Sequence, residues 1–144
     1  MDGQDFIRVM HDAFEPFLVV LGFSMETPST SGRFYRASFS STENSVWVTY
    51  EPGDDALFVY VFCRDKNGLS DIDDRIKTPR LSDLNSRYMH SVSKDELTEN
   101  ELFFQPVDVR DNDERLLLKC AKELRVVLPR YLSQQSEQKG PGSN

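Results

Sequence analysis

The sequence predicts an α+β fold: an antiparallel β-meander of at least three strands packed with an N-terminal helix, short middle helices and a long C-terminal amphipathic helix. Near both ends of the chain, apolar residues recur at three- and four-residue steps, which is the period of a helix. Between them lie three segments rich in Val, Phe, Tyr and Trp, separated by turn sequences. With 144 residues, 38% of them hydrophobic, the chain can form one compact domain, which we predict over residues 1–132.

The N-terminal helix is predicted from an apolar stripe that ends before Gly22, a natural helix stop. Pro16 lies inside this stripe. Because proline lacks an N–H and its ring collides with the carbonyl four residues earlier, we expect a kink at this point. The stripe consists of Phe6, Ile7, Met10, Phe14, Phe17, Leu18 and Leu21.

Three strands are predicted to follow a loop over residues 24–32. They cover residues 33–41, 45–51 and 56–64, with turn sequences between them. The third strand has apolar side chains on both of its faces. Since such a strand is typical of a sheet covered on two sides, we expect it to be buried on both faces or nearly so.

Short helices are predicted in the middle of the chain. Thr78 followed by Pro79 indicates a helix over residues 79–88, with Thr78 as its N-cap. Ser93 and Glu96 have the spacing of a capping box, which predicts one or two further helical turns before the sequence LFFQPV ends them.

The C-terminal helix has the clearest pattern in the sequence. Asp111 and Glu114 form a second capping pattern, and an apolar stripe from Leu116 to Tyr131 follows. Pro129 and the polar residues after it predict the end of this helix. Residues 133–144 contain no core-forming side chain, so we predict a disordered polar tail there.

The composition excludes several classes of partner. The net charge is −7 and the sequence pI is near 4.8, so direct binding to nucleic acid, which depends on Lys and Arg side chains, is not expected. The longest apolar stretch, residues 17–22, is too short to span a bilayer, and no targeting segment is recognisable at Met1. We therefore expect a soluble cytoplasmic protein without membrane contact, in which Cys63 and Cys120 are reduced and structural.

No motif in the sequence indicates catalysis. His11 lies in the first helix and His90 in an irregular segment, and neither has a Cys or His nearby at the spacing of a metal site. The acidic stretch DKNGLSDIDD lacks the Glu of a calcium-binding loop. We predict no catalytic residue, no metal and no cofactor. An enzyme of unknown type remains an alternative, which requires a pocket that joins one histidine to carboxylates.

The most unusual segment is residues 94–114, which carry eight acidic and two basic side chains. One interpretation is a solvated linker whose last carboxylates stabilise the start of the final helix. The other is an interface for a basic protein partner, with aromatic anchors inside a charged rim. The residues predicted to contact that partner are Asp95, Glu96, Glu99, Glu101, Phe103 and Phe104.

A second candidate surface lies on the first two strands. Its polar and amphipathic side chains indicate that part of the sheet faces solvent. Trp47 is expected to be buried or half-buried rather than a binding hot spot. The surface comprises Arg33, Arg36, Trp47, Thr49 and Glu51.

The layout resembles that of small acidic bacterial immunity proteins of toxin–immunity systems. The sequences LGF, VWVTYEPGDDALFVYVF and ERLLLKCAKELRVVLPRYL carry the resemblance, which covers roughly residues 5–132 as an order of elements. It implies a non-enzymatic protein that neutralises a cognate basic toxin, such as a nuclease, by occluding its active surface. The chain also resembles type III secretion chaperones, which implies a homodimer that binds an effector. Neither resemblance assigns a role to a numbered residue, and the oligomeric state stays open.

Overall fold

The computed structural model describes residues 1–53 and 56–138 and confirms the α+β class. A five-stranded antiparallel sheet has the strand order β1-β2-β3-β4-β5, a simple meander. The three predicted strands are present, and short strands extend the sheet at both edges. The strands are β1 (Ser24–Met25), β2 (Tyr35–Ser40), β3 (Asn44–Glu51), β4 (Ala56–Asp65) and β5 (Gly68–Leu69).

The N-terminal helix continues past Pro16 by means of a π-helical turn. Helix α1 (Gly3–Val9) leads into the turn Met10–Phe14, and α2 (Glu15–Val20) follows. In the turn, the backbone N–H of Glu15 donates to the carbonyl of Met10, five residues earlier. This wider turn accommodates the proline ring where we expected a kink. Gly22, at a φ of 94°, then ends the helix as predicted.

The middle helices differ from the prediction at their boundaries. Helix α3 (Leu81–Tyr88) has Arg80 as its N-cap, so the assignment of Thr78 as the cap was wrong. Thr78 is instead fully buried, and its hydroxyl donates to the backbone carbonyl of Asp71 at 2.7 Å. Helix α4 (Lys94–Phe104) starts at the predicted Ser93 cap, but its 11 residues make it longer than the expected one or two turns.

Helix α5 (Asn112–Gln138) is 27 residues long and runs through Pro129. The predicted helix end was therefore wrong, and so was the predicted disorder for residues 133–138; residues 139–144 lie outside the described residues. Side-chain contacts hold the last turns of this helix: Tyr88 donates to Gln134, and Gln135 Nε2 donates to Cys63 Sγ at 3.2 Å. Packing on the sheet and on α3 thus outweighs the one backbone hydrogen bond that Pro129 removes.

The helices cover only one face of the sheet. Phe39, Val48 and Val61 on that face are fully buried in a core shared with α1, α2 and α5. On the opposite face, Phe58 is 47% exposed and Tyr60 is partly exposed. The expectation that the third strand is covered on both faces was therefore wrong at Phe58, whereas Phe62 on the same face is buried. An antiparallel sheet can leave one face in water, and here the aromatic side chains of that face lie among polar ones.

A buried ion pair joins the N-terminal helix to the start of α5. Glu114 is almost completely buried and accepts hydrogen bonds from the Arg8 guanidinium and from the Arg110 backbone N–H. A second guanidinium nitrogen of Arg8 donates to the backbone carbonyl of Asp108 at 2.9 Å. Arg8 thus ties α1 to the connection between α4 and α5, because Asp108 and Glu114, which accept its hydrogen bonds, lie in that connection and at the start of α5.

We expect the Arg8→Ala substitution to lower the free energy of unfolding by about 3 kcal/mol, because it leaves the Glu114 carboxylate buried without its charged partner. Urea unfolding followed by circular dichroism measures the change. The matched control is Arg33→Ala, which removes an ion pair between Arg33 and Glu51. Because the Arg33 side chain is 81% exposed, its loss should lower the free energy of unfolding by less than about 1 kcal/mol. Equal losses in the two variants would contradict a special contribution from the buried pair.

Candidate protein-binding site

Helix α4 is fixed to the rest of the protein by two buried side chains. Asn100 donates to the backbone carbonyl of Lys122 and accepts from the Arg125 guanidinium, both at 2.9 Å. Phe104 is 1% exposed and packs edge-on against Phe17 at 6.1 Å between ring centroids. These contacts leave little freedom for the helix to move, so its outer face is a preformed surface.

The structure divides the two adjacent phenylalanines between core and surface. Consecutive residues of a helix point about 100° apart, so Phe103 and Phe104 face different surroundings. Phe104 lies in the core, and its place in the predicted interface is therefore corrected. Phe103 is 39% exposed and keeps its position on the surface.

Half of the predicted acidic residues are neutralised within the protein. Glu96 pairs with Arg130 at 2.6 Å, and Glu101 pairs with Lys122 at 2.8 Å. The hydrogen bond from Arg130, together with that from the Ser93 backbone, holds the pKa of Glu96 below its ordinary value. Both pairs join α4 to α5, so these carboxylates help to hold the helix in place.

Two predicted carboxylates remain available to a partner. Asp95 and Glu99 are exposed on α4, and neither forms an ion pair with any other residue that the structure describes. They lie one helical turn apart, the spacing at which side chains share a face. The exposed side chain of Leu102 lies three residues beyond Glu99 on the same helix. The outer face of α4 is therefore both acidic and apolar.

A groove runs between α2, α4 and α5, and we call it the helical groove. Its volume is about 330 Å³. Val20, at its edge, is 83% exposed. No sequence pattern assigned Val20 to a site, because it lies within an apolar helical segment. The groove is lined by Phe17, Val20, Leu21, Glu96, Glu99, Phe103, Arg125, Val126, Pro129 and Arg130.

Phe103 is held rigidly at this groove. The guanidinium of Arg125 lies 4.0 Å from the centroid of its ring, and Asn100 fixes that guanidinium from the other side. Phe104 contacts the ring edge-on at 5.0 Å between centroids. An aromatic side chain that is already ordered loses little conformational entropy on binding, which makes Phe103 a suitable anchor for a partner.

The second candidate surface is the open face of the sheet. Trp47 is partly exposed and stacks with Arg36, whose guanidinium carbon lies 4.5 Å from the ring centroid. Phe34, Phe58 and Ile72 are exposed beside it. Phe58 was missed because the third strand was expected to be covered, and Phe34 and Ile72 lie outside that strand. For Phe58, the available signal was Thr49, the polar residue opposite it in β3.

The two histidines lie outside the helical groove. His11 Nδ1 lies 3.0 Å from a carboxylate oxygen of Glu15, one turn along the same exposed helix face. His90 is exposed in a 3₁₀ turn, and neither histidine lines the helical groove. Within residues 1–53 and 56–138, no group of three or more His, Cys, Asp or Glu side chains is arranged to hold a metal ion.

No family model matches the chain, and no match was found among curated proteins or solved structures. Among the described helices, none combines the length and the apolar character needed to cross a membrane.

The two phenylalanines of α4 provide a direct test of their placement. We expect Phe104→Ala to lower the free energy of unfolding by about 3–5 kcal/mol, because it empties a core site. Phe103→Ala should cost only about 1 kcal/mol, mainly the lost contact with Arg125. Thermal and urea unfolding of both variants measure the difference. The assignment of Phe104 to the core would be wrong if the two substitutions were equally mild.

Cys120 should behave as an unreactive core thiol. Burial raises its pKa to about 11, with a further contribution from the charge of Glu123. Because only the thiolate reacts, alkylation by iodoacetamide at pH 8 should be at least about 100-fold slower in the folded protein than after unfolding. Mass spectrometry of peptides separates Cys120 from Cys63. The folded-state rate should still rise above pH 9, and a plateau there would contradict the raised pKa.

Proposed function

We propose that the protein is a non-enzymatic protein-binding module that captures a basic protein partner at the helical groove. The observation that carries this proposal is the position of Glu99. Its carboxylate is exposed and has no ion-pair partner among the described residues, and it lines the same groove as the ordered ring of Phe103 and the exposed Val20. A free charge beside apolar anchors is the usual composition of a binding hot spot and its rim.

Apolar contact and long-range electrostatic attraction come from different parts of this side of the protein. Within the helical groove, Glu96 is neutralised by Arg130, and Arg125, which Asn100 and the ring of Phe103 hold in place, offsets the charge of Glu99. The floor therefore contributes mainly apolar contact. Attraction over longer distances comes from Asp95 and Glu99 on the outside of α4 and from the net charge of −7. A partner with a basic patch would be drawn to this side and then fixed by apolar contacts.

An immunity protein is the biological role that this binding mode fits best. A toxin that cleaves nucleic acid carries Lys and Arg in its active cleft to hold phosphates. An acidic ridge on a rigid helix can occupy such a cleft in place of the phosphates, and inhibition would then be simple occlusion. A cytoplasmic location in a bacterial cell would place the protein where a toxin acts. The partner class rests on the resemblance in layout, and the binding mode rests on the groove.

A type III-like secretion chaperone is the second candidate. The observation in its favour is the open aromatic face of the sheet, because chaperones of this kind offer apolar surface to an extended client. Such a protein would be a homodimer. Light scattering during size-exclusion chromatography separates the two candidates, since a strict monomer would count against the chaperone and leave the immunity role standing.

Binding kinetics test the proposal once the product of the neighbouring gene has been co-expressed and copurified. Glu99→Lys should slow association and make it less sensitive to salt, because exposed charges act mainly through long-range attraction. Phe103→Ala should instead speed dissociation roughly thirtyfold, equivalent to about 2 kcal/mol. The matched control is Asp73→Lys, the same charge reversal in an exposed loop outside the helical groove, which should leave both rates close to wild type.

Two results would remove the helical groove from the proposal. One is the absence of any stable complex, together with failure of the protein to rescue growth of cells that produce the neighbouring gene product. The other is a complex whose rates are the same for wild type, Glu99→Lys and Phe103→Ala at several salt concentrations. The unfolding measurements on Phe103→Ala ensure that a binding defect is not mistaken for loss of the fold.

A further inference from the structure

The open face of the sheet forms a groove larger than the helical groove. Its volume is about 670 Å³, against about 330 Å³ between the helices. The register of the strands places Trp47 directly opposite Tyr60, and Thr49 opposite Phe58. Phe34 and Ile72 extend the apolar surface beyond the strands, and both are exposed. We call this the sheet groove. Contiguous apolar area of this kind on a soluble domain marks a site of interaction.

The charges of the sheet groove are opposite in sign to those of α4. Its charged lining residues are Arg33, Arg36 and Glu51. Glu51 accepts a hydrogen bond from Arg33 at 3.2 Å and is thereby neutralised. Arg36 has no ion pair with any described residue, and its guanidinium carbon lies 4.5 Å from the centroid of the Trp47 ring. Among the described lining residues, one cation is therefore left without a counter-charge, and it lies over an aromatic ring.

We propose that the sheet groove docks a protein segment that presents a carboxylate beside large apolar side chains. A guanidinium already ordered by stacking can donate two parallel hydrogen bonds to one carboxylate with little further loss of entropy. Apolar side chains next to that carboxylate would cover Phe34, Phe58 and Ile72. This site is separate from the helical groove. It selects an acidic segment, whereas the helical groove is proposed to bind a basic partner, so the inference goes beyond the proposed function.

The same geometry argues against a nucleic acid as the occupant. Stacking of bases requires a free aromatic face. One side of Trp47 is taken by Arg36, and Phe62 lies 4.5 Å away between ring centroids. Tyr60 is faced by the guanidinium of Arg80 at 5.2 Å. With a net charge of −7 on the whole chain, a phosphate backbone would also be repelled.

The two grooves lie on opposite sides of the sheet, because the helices that form the helical groove cover the other face. One segment can therefore occupy each groove at the same time without contact between them. The protein would then connect a basic partner and an acidic, apolar segment, either from two proteins or from two parts of one.

A random peptide library displayed on phage and selected on the full chain tests this inference. We expect one enriched class to combine Asp or Glu with large apolar residues. Synthetic peptides of that class should bind Arg36→Gln and Phe58→Ser at least about tenfold more weakly than wild type, since each substitution removes one half of the recognition. Ile76→Ser removes a side chain that is 86% exposed and lies outside the sheet groove, so it should bind as wild type.

The remaining outcomes would overturn the inference. These are the absence of an acidic, apolar class, or peptides of that class that bind Arg36→Gln and Phe58→Ser normally. Self-association of the protein in light scattering that Phe58→Ser abolishes would make a second copy the occupant, and tight binding of single-stranded oligouridine would make it a nucleic acid. Enriched basic peptides that lose affinity for Glu99→Lys alone report on the helical groove, so the two proposals can fail separately.

Discussion

The apolar stripe of α5 is the surface on which the other elements of the protein depend. Helices α1, α3 and α4 each pack against it, and its buried residues complete the core beneath the sheet. Because α5 spans 27 residues, it supports α4 along one part of its length and α3 along another. The helical groove exists because α4 lies on this long helix beside the end of α2. Its shape is therefore a consequence of core packing and needs no separate flexible element.

In the folded protein, the carboxylates of the acidic segment, residues 94–114, have different roles. Some of its carboxylates serve the fold: Glu114 is buried against Arg8, and Asp111 binds the amino terminus of Met1 at 3.0 Å. Others link α4 to α5 through ion pairs. The few that remain free lie on the outer face of α4. The interpretation as a structural connector thus applies to some residues of the segment, and the others carry the binding surface that we propose.

Prediction from sequence succeeded for most features that depend on local interactions, although the local pattern at Thr78 and Pro79 misplaced the cap of α3. The strands, the N-terminal stripe and the caps at Ser93 and Asp111 depend on local patterns, and the structure confirms them. Pro129 was misjudged because tertiary packing sustains a helix through a residue that is locally unfavourable. The burial of Phe104 depends on where α4 begins and on how α4 is rotated against α5. Neither can be read from the few residues around Phe104. The open aromatic face was missed because apolar content alone does not reveal which side of a sheet is covered.

Hydrogen–deuterium exchange of the complex with its copurified partner tests the central claim most directly, namely that a partner docks on the helical groove. The backbone amides of α4 over residues 97–103, and those at the end of α2 around Val20, should exchange more slowly in the complex than in the free protein, because both line the groove. Slower exchange confined to the edges of β2–β4, with α4 unchanged, would contradict the claim and place the partner on the sheet.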